Sequence, residues 1–128
     1  FPDIQMLKNS KMVGFVATSR PEISKQFYEE ILGLTLIEDT PFAIVFESGN
    51  ATIRIQKTRQ VRSPPYTSLG WEVANIELIV RALSDSGVRL EKFEGMEQDD
   101  LGVWSVPGGS RVAWFKDPDG NLLSLTQR

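Results

Sequence analysis

The sequence contains no cysteine and no histidine among its 128 residues. Without cysteine there is no disulfide framework, no thiolate nucleophile and no cysteine-held zinc or iron–sulfur centre. Without histidine there is no imidazole metal ligand, no serine- or cysteine-histidine pair, and no side chain that titrates near neutrality by default. Any catalysis falls to carboxylates, Lys, Arg, Tyr, Ser or Thr. No apolar run approaches the ~18 residues of a membrane span, and the mixed polar segment 1–11 lacks the core of a secretory signal. An excess of one charge is missing too: 14 basic against 17 acidic residues give −3. Neither nucleic acid nor a membrane is therefore expected as a partner. These absences suit a cytoplasmic protein.

What is present is a globular composition, 41% hydrophobic and 24% charged, too apolar for disorder and of a length for one domain over 1–128. A strand is expected over 12–17. Ser19 and Glu22 then have capping-box spacing with Pro21 in the first turn, and Ile23, Phe27 and Ile31 recur every four residues as a buried helical stripe. Gly33 is placed to end that helix. Strands are expected over 34–37, 42–46 and 51–56, with Gly49-Asn50 as the last hairpin turn. The order then repeats. A strand over 68–73 leads to Asn75 as N-cap, to Ile76, Ile79, Val80 and Leu83 at helical spacing, and to Gly87 as terminator. Strands over 88–93, 111–115 and 122–126 follow, the last two joined by Asp117-Pro118-Asp119-Gly120-Asn121, a strong turn signal.

The offsets agree with a duplication. Gly33 and Gly87 are 54 apart and the Gly-Asn pairs 71 apart, so 17 extra residues belong to the second half, around 94–109. Two βαβββ modules, about 11–57 and 67–127, are joined by a linker over 58–66 that carries Arg59, Arg62, Pro64 and Pro65. The fold class is α+β, with a single sheet carrying two helices as the competing reading to tandem modules.

Three segments carry a family resemblance: Phe27-Tyr28-Glu29-Glu30-Ile31-Leu32-Gly33-Leu34; Trp71-Glu72-Val73 through Ser86-Gly87-Val88; and, most specific, Trp114-Phe115-Lys116-Asp117-Pro118-Asp119-Gly120-Asn121-Leu122-Leu123-Ser124-Leu125. From about Lys11 to Gln127 the chain resembles the vicinal oxygen chelate superfamily of glyoxalase I, bleomycin-resistance proteins and extradiol dioxygenases. The resemblance implies a curved, half-open eight-stranded sheet around a cavity, with metal ligands on its cavity face. Carried over residue by residue, those ligand positions hold Val13, Ser68, Ser124 and, for the fourth site, Arg54. Valine cannot coordinate, neutral serines are poor ligands for a divalent ion, and arginine is itself a cation. No metal and no other cofactor is expected, and neither is metal-dependent glyoxalase or dioxygenase activity.

Strand alternation assigns the cavity face. It puts Val13, Phe15 and Ala17 there on the first strand, Thr52, Arg54 and Gln56 on the fourth, and Ser68, Gly70 and Glu72 on the fifth. Leu122, Ser124 and Thr126 share it on the closing strand. The resemblance adds Val112 and Trp114. Phe42, Ile44 and Phe46 are expected on the same face, where a one-residue error would reverse them. Trp104, on the inserted stretch, is placed to act as a lid. Arg54 on that face needs a carboxylate, with Glu72 the internal candidate, or an anionic ligand. The leading expectation is a metal-independent protein that binds or sequesters an aromatic or amphipathic, and in one version anionic, small molecule. The alternatives are a metal-independent enzyme of lyase or isomerase type, with Glu72 or Glu47 as base beside Arg54, and a non-catalytic interaction domain whose cavity is collapsed. A homodimer is compatible with all three.

Overall fold

The computed structural model describes residues 7–128. The chain divides into two compact units, one ending at Gln60 and the other spanning Val61–Arg128.

In the first unit the elements run β1 (Val13–Thr18), α1 (Pro21–Gln26), a π-helical turn (Phe27–Ile31), β2 (Thr35–Asp39), β3 (Ala43–Ser48) and β4 (Ala51–Lys57). They form an open four-stranded sheet in the order β1-β4-β3-β2, with β1 parallel to β4 and the others antiparallel. The helix begins after Arg20, whose side chain makes no capping bond. Thr18 Oγ1 supports the helix start: it accepts from the Arg20 amide at 3.0 Å and meets the buried Ser24 hydroxyl at 2.7 Å. The expected Ile23–Phe27–Ile31 stripe is not the buried one. Ser24, Phe27 and Tyr28 turn inward, whereas Ile23 is half-exposed. Tyr28 is fully buried with its ring 6.0 Å from Phe46 and 5.3 Å from Phe27. In the π turn the Leu32 amide donates five residues back to Phe27 O at 3.0 Å, so one residue more than an α-turn is accommodated. Gly33 then ends the helix at φ 75°.

At the edge of this sheet Lys57 Nζ donates to Asp39 Oδ1 at 2.6 Å, and Lys25 Nζ lies 3.4 Å from Oδ2. The Lys57 hydrogen bond, with a smaller part from Lys25, holds the Asp39 carboxyl below its ordinary range. Its contribution to stability is therefore present above the unfolded-state pKa and is lost as pH falls through the lowered folded value. In Lys57→Met the Asp39 titration, followed by carboxyl NMR, should move back up towards that of a free aspartate.

The second unit repeats the plan: β5 (Thr67–Glu72), α2 (Ile76–Asp85), β6 (Trp104–Ser105), β7 (Arg111–Lys116) and β8 (Leu122–Gln127), in the order β5-β8-β7-β6 with β5 parallel to β8. Asn75 caps α2 as expected, its Oδ1 accepting from the Leu78 amide at 3.2 Å. Ile76, Val80 and Leu83 are buried. They share the core of this unit with Ala113, Phe115, Leu123 and Leu125, the inward-alternating residues of β7 and β8.

The α+β class and the tandem modules hold. The eight strands are organised as two four-stranded ladders, and the membership of the second differs from expectation. Residues 88–93 are not a strand but carry one isolated bridge, Leu90 to Phe115. The partner of β7 is β6, inside the stretch expected to be an inserted loop. Gln98 organises the intervening chain: its Oε1 accepts from the Phe93 amide at 2.7 Å, and its Nε2 donates to the carbonyls of Glu91 (2.9 Å) and Gly102 (2.8 Å). Those bonds satisfy backbone groups that a strand would have paired.

The turn between β7 and β8 is built on a buried carboxylate. Asp117 Oδ1 accepts from the amides of Asp119 (3.0 Å) and Asn121 (2.9 Å), and Oδ2 accepts from Asn121 Nδ2 at 2.9 Å. Both Asp117 and Asn121 are buried.

Candidate functional sites on the two sheet faces

Each sheet has a helix-covered face and a helix-free face, and registry decides which side chains belong to which. In the first unit Phe46 pairs with Ile53 and Ile44 with Ile55. All four are buried on the face that carries the Tyr28 contact. Ile44 and Phe46 are therefore core residues and not ligand contacts, a correction of one residue in the phase of β3. Phe42 precedes that strand and is 76% exposed at the turn, outside the ladder that sets the faces. The helix-free rung is Phe15–Arg54–Val45. Above it lies Val13–Thr52–Glu47 and below it Ala17–Gln56–Ala43.

Electrostatics on this face are uneven. Glu47 is bound to Lys11 at 2.6 Å. Arg54 is half-buried and has neither a carboxylate nor a hydrogen-bond partner among the described residues. Phe15 beside it is 55% exposed. The expected internal partner of Arg54 is committed elsewhere, since Glu72 Oε1 sits 2.6 Å from Arg128 Nε. The exposed end of β5 leaves that carboxylate within reach of the chain's last residue.

In the second unit the helix-free rungs are Gly70–Ser124–Trp114 and Glu72–Thr126–Val112–Trp104. Trp104 and Trp114 lie on diagonal positions of neighbouring strands. Their rings are stacked with centroids 6.2 Å apart and planes at 29°, and Phe93 meets Trp114 edge-on at 5.3 Å. Trp104 is thus a strand residue built into the sheet, not a lid on a loop. Neither indole is buried. Ser124 Oγ fills the gap left by the missing side chain of Gly70, lying 2.6 Å from where a Cβ would sit. Ser68 falls at a bulge, where the β5–β8 ladder steps from Thr67↔Leu122 to Leu69↔Leu123. The extra residue takes Ser68 out of the alternation that places Gly70 and Glu72.

Three residues of these faces were not anticipated: Val45 beside Arg54, Phe93 against Trp114, and Lys11 on Glu47. A groove of about 740 Å³ lies elsewhere, on the α1 side of the first unit, lined by residues such as Arg20, Ile23, Lys25 and Lys57 and by none of the expected ligand contacts.

The two matched sheets, each formed from a βαβββ-ordered segment, are the frame on which comparison with known proteins bears. A family model described as the Glyoxalase/Bleomycin resistance protein/Dioxygenase superfamily matches residues 11–125. The chain belongs to this superfamily. Solved structures share the fold at low identity. A superfamily member from Sphaerobacter thermophilus DSM 20745 aligns with TM-score 0.74 and 19% identity over 96% of this chain and 100% of its own. Lactoylglutathione lyase from Agrobacterium tumefaciens gives 0.72 and 12% over 93% of each chain. TioX from Micromonospora sp. ML1 gives 0.72 and 15% over 93% and 98%. A search of curated protein sequences finds no match.

Within the superfamily frame, the positions to which the sequence resemblance assigns metal ligands hold an aliphatic, a guanidinium and two hydroxyl side chains: Val13, Arg54, Ser68 and Ser124. Among the described residues no cluster of three or more His, Cys, Asp or Glu could hold a metal ion. This donor set does not fit a divalent cation, which takes carboxylate, carbonyl, imidazole or thiolate donors. No described helix is long and apolar enough to cross a membrane.

Proposed function

We propose that this chain is a metal-independent small-molecule binding protein, in the role that bleomycin resistance names within its superfamily, and that it holds an aromatic or amphipathic ligand on a helix-free sheet face. The observation that carries the proposal is the stacked Trp104–Trp114 pair, part-exposed on one rigid strand pair beside the Ser124 hydroxyl. A sheet is a firm platform for such a site, and flat aromatic surface gives large contact area at little entropic cost. Covering ~200 Å² of apolar ligand at ~25 cal/mol/Å² contributes about 5 kcal/mol before ordering costs. Stacking and one polar contact extend this to roughly micromolar affinity. The cysteine-free composition suits the reducing cytoplasm. The enzymatic alternative is less well supported, because both candidate bases, Glu47 and Glu72, are already bound to cations.

Planar ligands should quench the tryptophan emission through this pair, with or without added Zn²⁺, Ni²⁺ or Mn²⁺. Trp114→Phe should remove most of the quenching while much of the apolar contact remains. Binding that persists with undiminished quenching in both Trp114→Phe and Trp104→Phe would place the ligand elsewhere. A stoichiometric metal found by elemental analysis and lost in Ser124→Ala would overturn metal independence.

A further inference from the structure

Resting on that reading of the helix-free faces, we propose that Arg54 selects for an anionic group on a ligand held by the first unit's own face, so that the ligands preferred there are aromatic acids bearing a carboxylate or a similar planar oxyanion. The argument starts from an unbalanced charge. Arg54 stands at the centre of its sheet, one strand in from the edge, and is half-buried. Partial desolvation weakens its hydration, yet among the described residues no acceptor compensates it. The carboxylate on the same face, Glu47, sits one rung away and is neutralised by Lys11. The other carboxylate that alternation suggested, Glu72, is held by Arg128.

The flanking residues define what an incoming acceptor would carry. On one side is Phe15, more than half exposed; on the other is Val45, buried; and next to Phe15 on the same strand face is Val13, 44% exposed. A guanidinium set among aliphatic and aromatic side chains matches a molecule with a flat apolar body and a bidentate oxyanion, since the fork of N–H donors fits a carboxylate in plane. A neutral amide offers one acceptor oxygen and no charge. The face should therefore separate two ligands of equal shape by charge alone.

The test uses 2-naphthoate and 2-naphthamide as probes, titrated calorimetrically against the full chain and against Arg54→Met, Arg54→Lys and Phe15→Ala. The naphthoate should bind about 10- to 100-fold more tightly than the amide. That preference should vanish in Arg54→Met, the acid losing far more affinity than the amide, and survive in part in Arg54→Lys. Phe15→Ala should weaken both probes together. Equal, measurable affinities for acid and amide in the unsubstituted chain would overturn the role of Arg54 and leave the binding function standing. Parallel losses for both probes in Arg54→Met would overturn it too, since shape and not charge would then be at stake. Failure of both probes to bind at millimolar concentration would reject both proposals.

Discussion

Phe46→Ala should destabilise the protein by about 3–5 kcal/mol, measured as a lowered urea midpoint at unchanged slope. The side chain is fully buried, pairs across the ladder with Ile53, and lies against the Tyr28 ring. Deleting it removes apolar contact from the strand, from its partner strand and from the helix at once. The cavity closes poorly because Tyr28 is pinned on its other side by Phe27 at 5.3 Å. Amide exchange should show the loss of protection in β3, β4 and the helix of the first unit. Phe46→Leu, which keeps most of the volume, should cost less than half as much. A cost under 1 kcal/mol for Phe46→Ala would contradict the assignment of this side chain to the core.

Asp117→Ala should cost about 3 kcal/mol or more. Three donors converge on the Asp117 carboxylate, and two of them belong to buried Asn121. Hydrogen bonds to a charged acceptor contribute ~1.5–3 kcal/mol each, and donors left unpaired in a buried turn add the cost of their desolvation. Asp117→Asn keeps a carbonyl oxygen for the two backbone amides but faces the Asn121 amide with another amide, so an intermediate loss is expected. The turn fixes the registry of β7 on β8, which sets Trp114 opposite Ser124. Ligand quenching should therefore weaken in Asp117→Ala at temperatures where the fold survives. Wild-type stability in that variant would mean that the turn does not depend on the carboxylate.

Most of the architecture was legible because local signals agreed with one another. Asn75 and Gly87 bracket α2, Gly33 ends the first helix, and the two Gly-Asn turns set the hairpins. The errors arose where the sequence is apolar on both sides of an element. Ala43, Ile44, Val45 and Phe46 are all buried, so alternation alone cannot choose their faces. Turn length could have: a two-residue Gly49-Asn50 hairpin pairs Ser48 with Ala51, and counting back puts Val45 opposite Arg54 and Phe46 opposite Ile53. The helical stripe failed for a different reason. The π turn shifts the phase after Gln26, and the buried face holds a serine whose hydroxyl is satisfied by Thr18. No apolar periodicity can announce such a residue. Trp104 was misplaced because a two-residue strand has no period to read. The bond from Glu72 to Arg128 was hidden because it joins the end of β5 to the residue after β8, which are far apart in sequence.

The stacked indoles also give the protein an optical signature. All three tryptophans, at 71, 104 and 114, lie in the second unit. Two of them sit 6.2 Å apart in a fixed, slightly skewed arrangement. Transition dipoles held that close and out of parallel exchange excitation, so the pair should add a coupled contribution of its own to the aromatic circular dichroism of this chain. Substituting either ring should remove that coupled contribution and leave the separate signals of the remaining aromatic side chains. Rotation of the strands by a few degrees changes the sign or size of the coupled contribution. The protein thus carries its own gauge of the β6–β7 geometry, readable without a label and without any ligand.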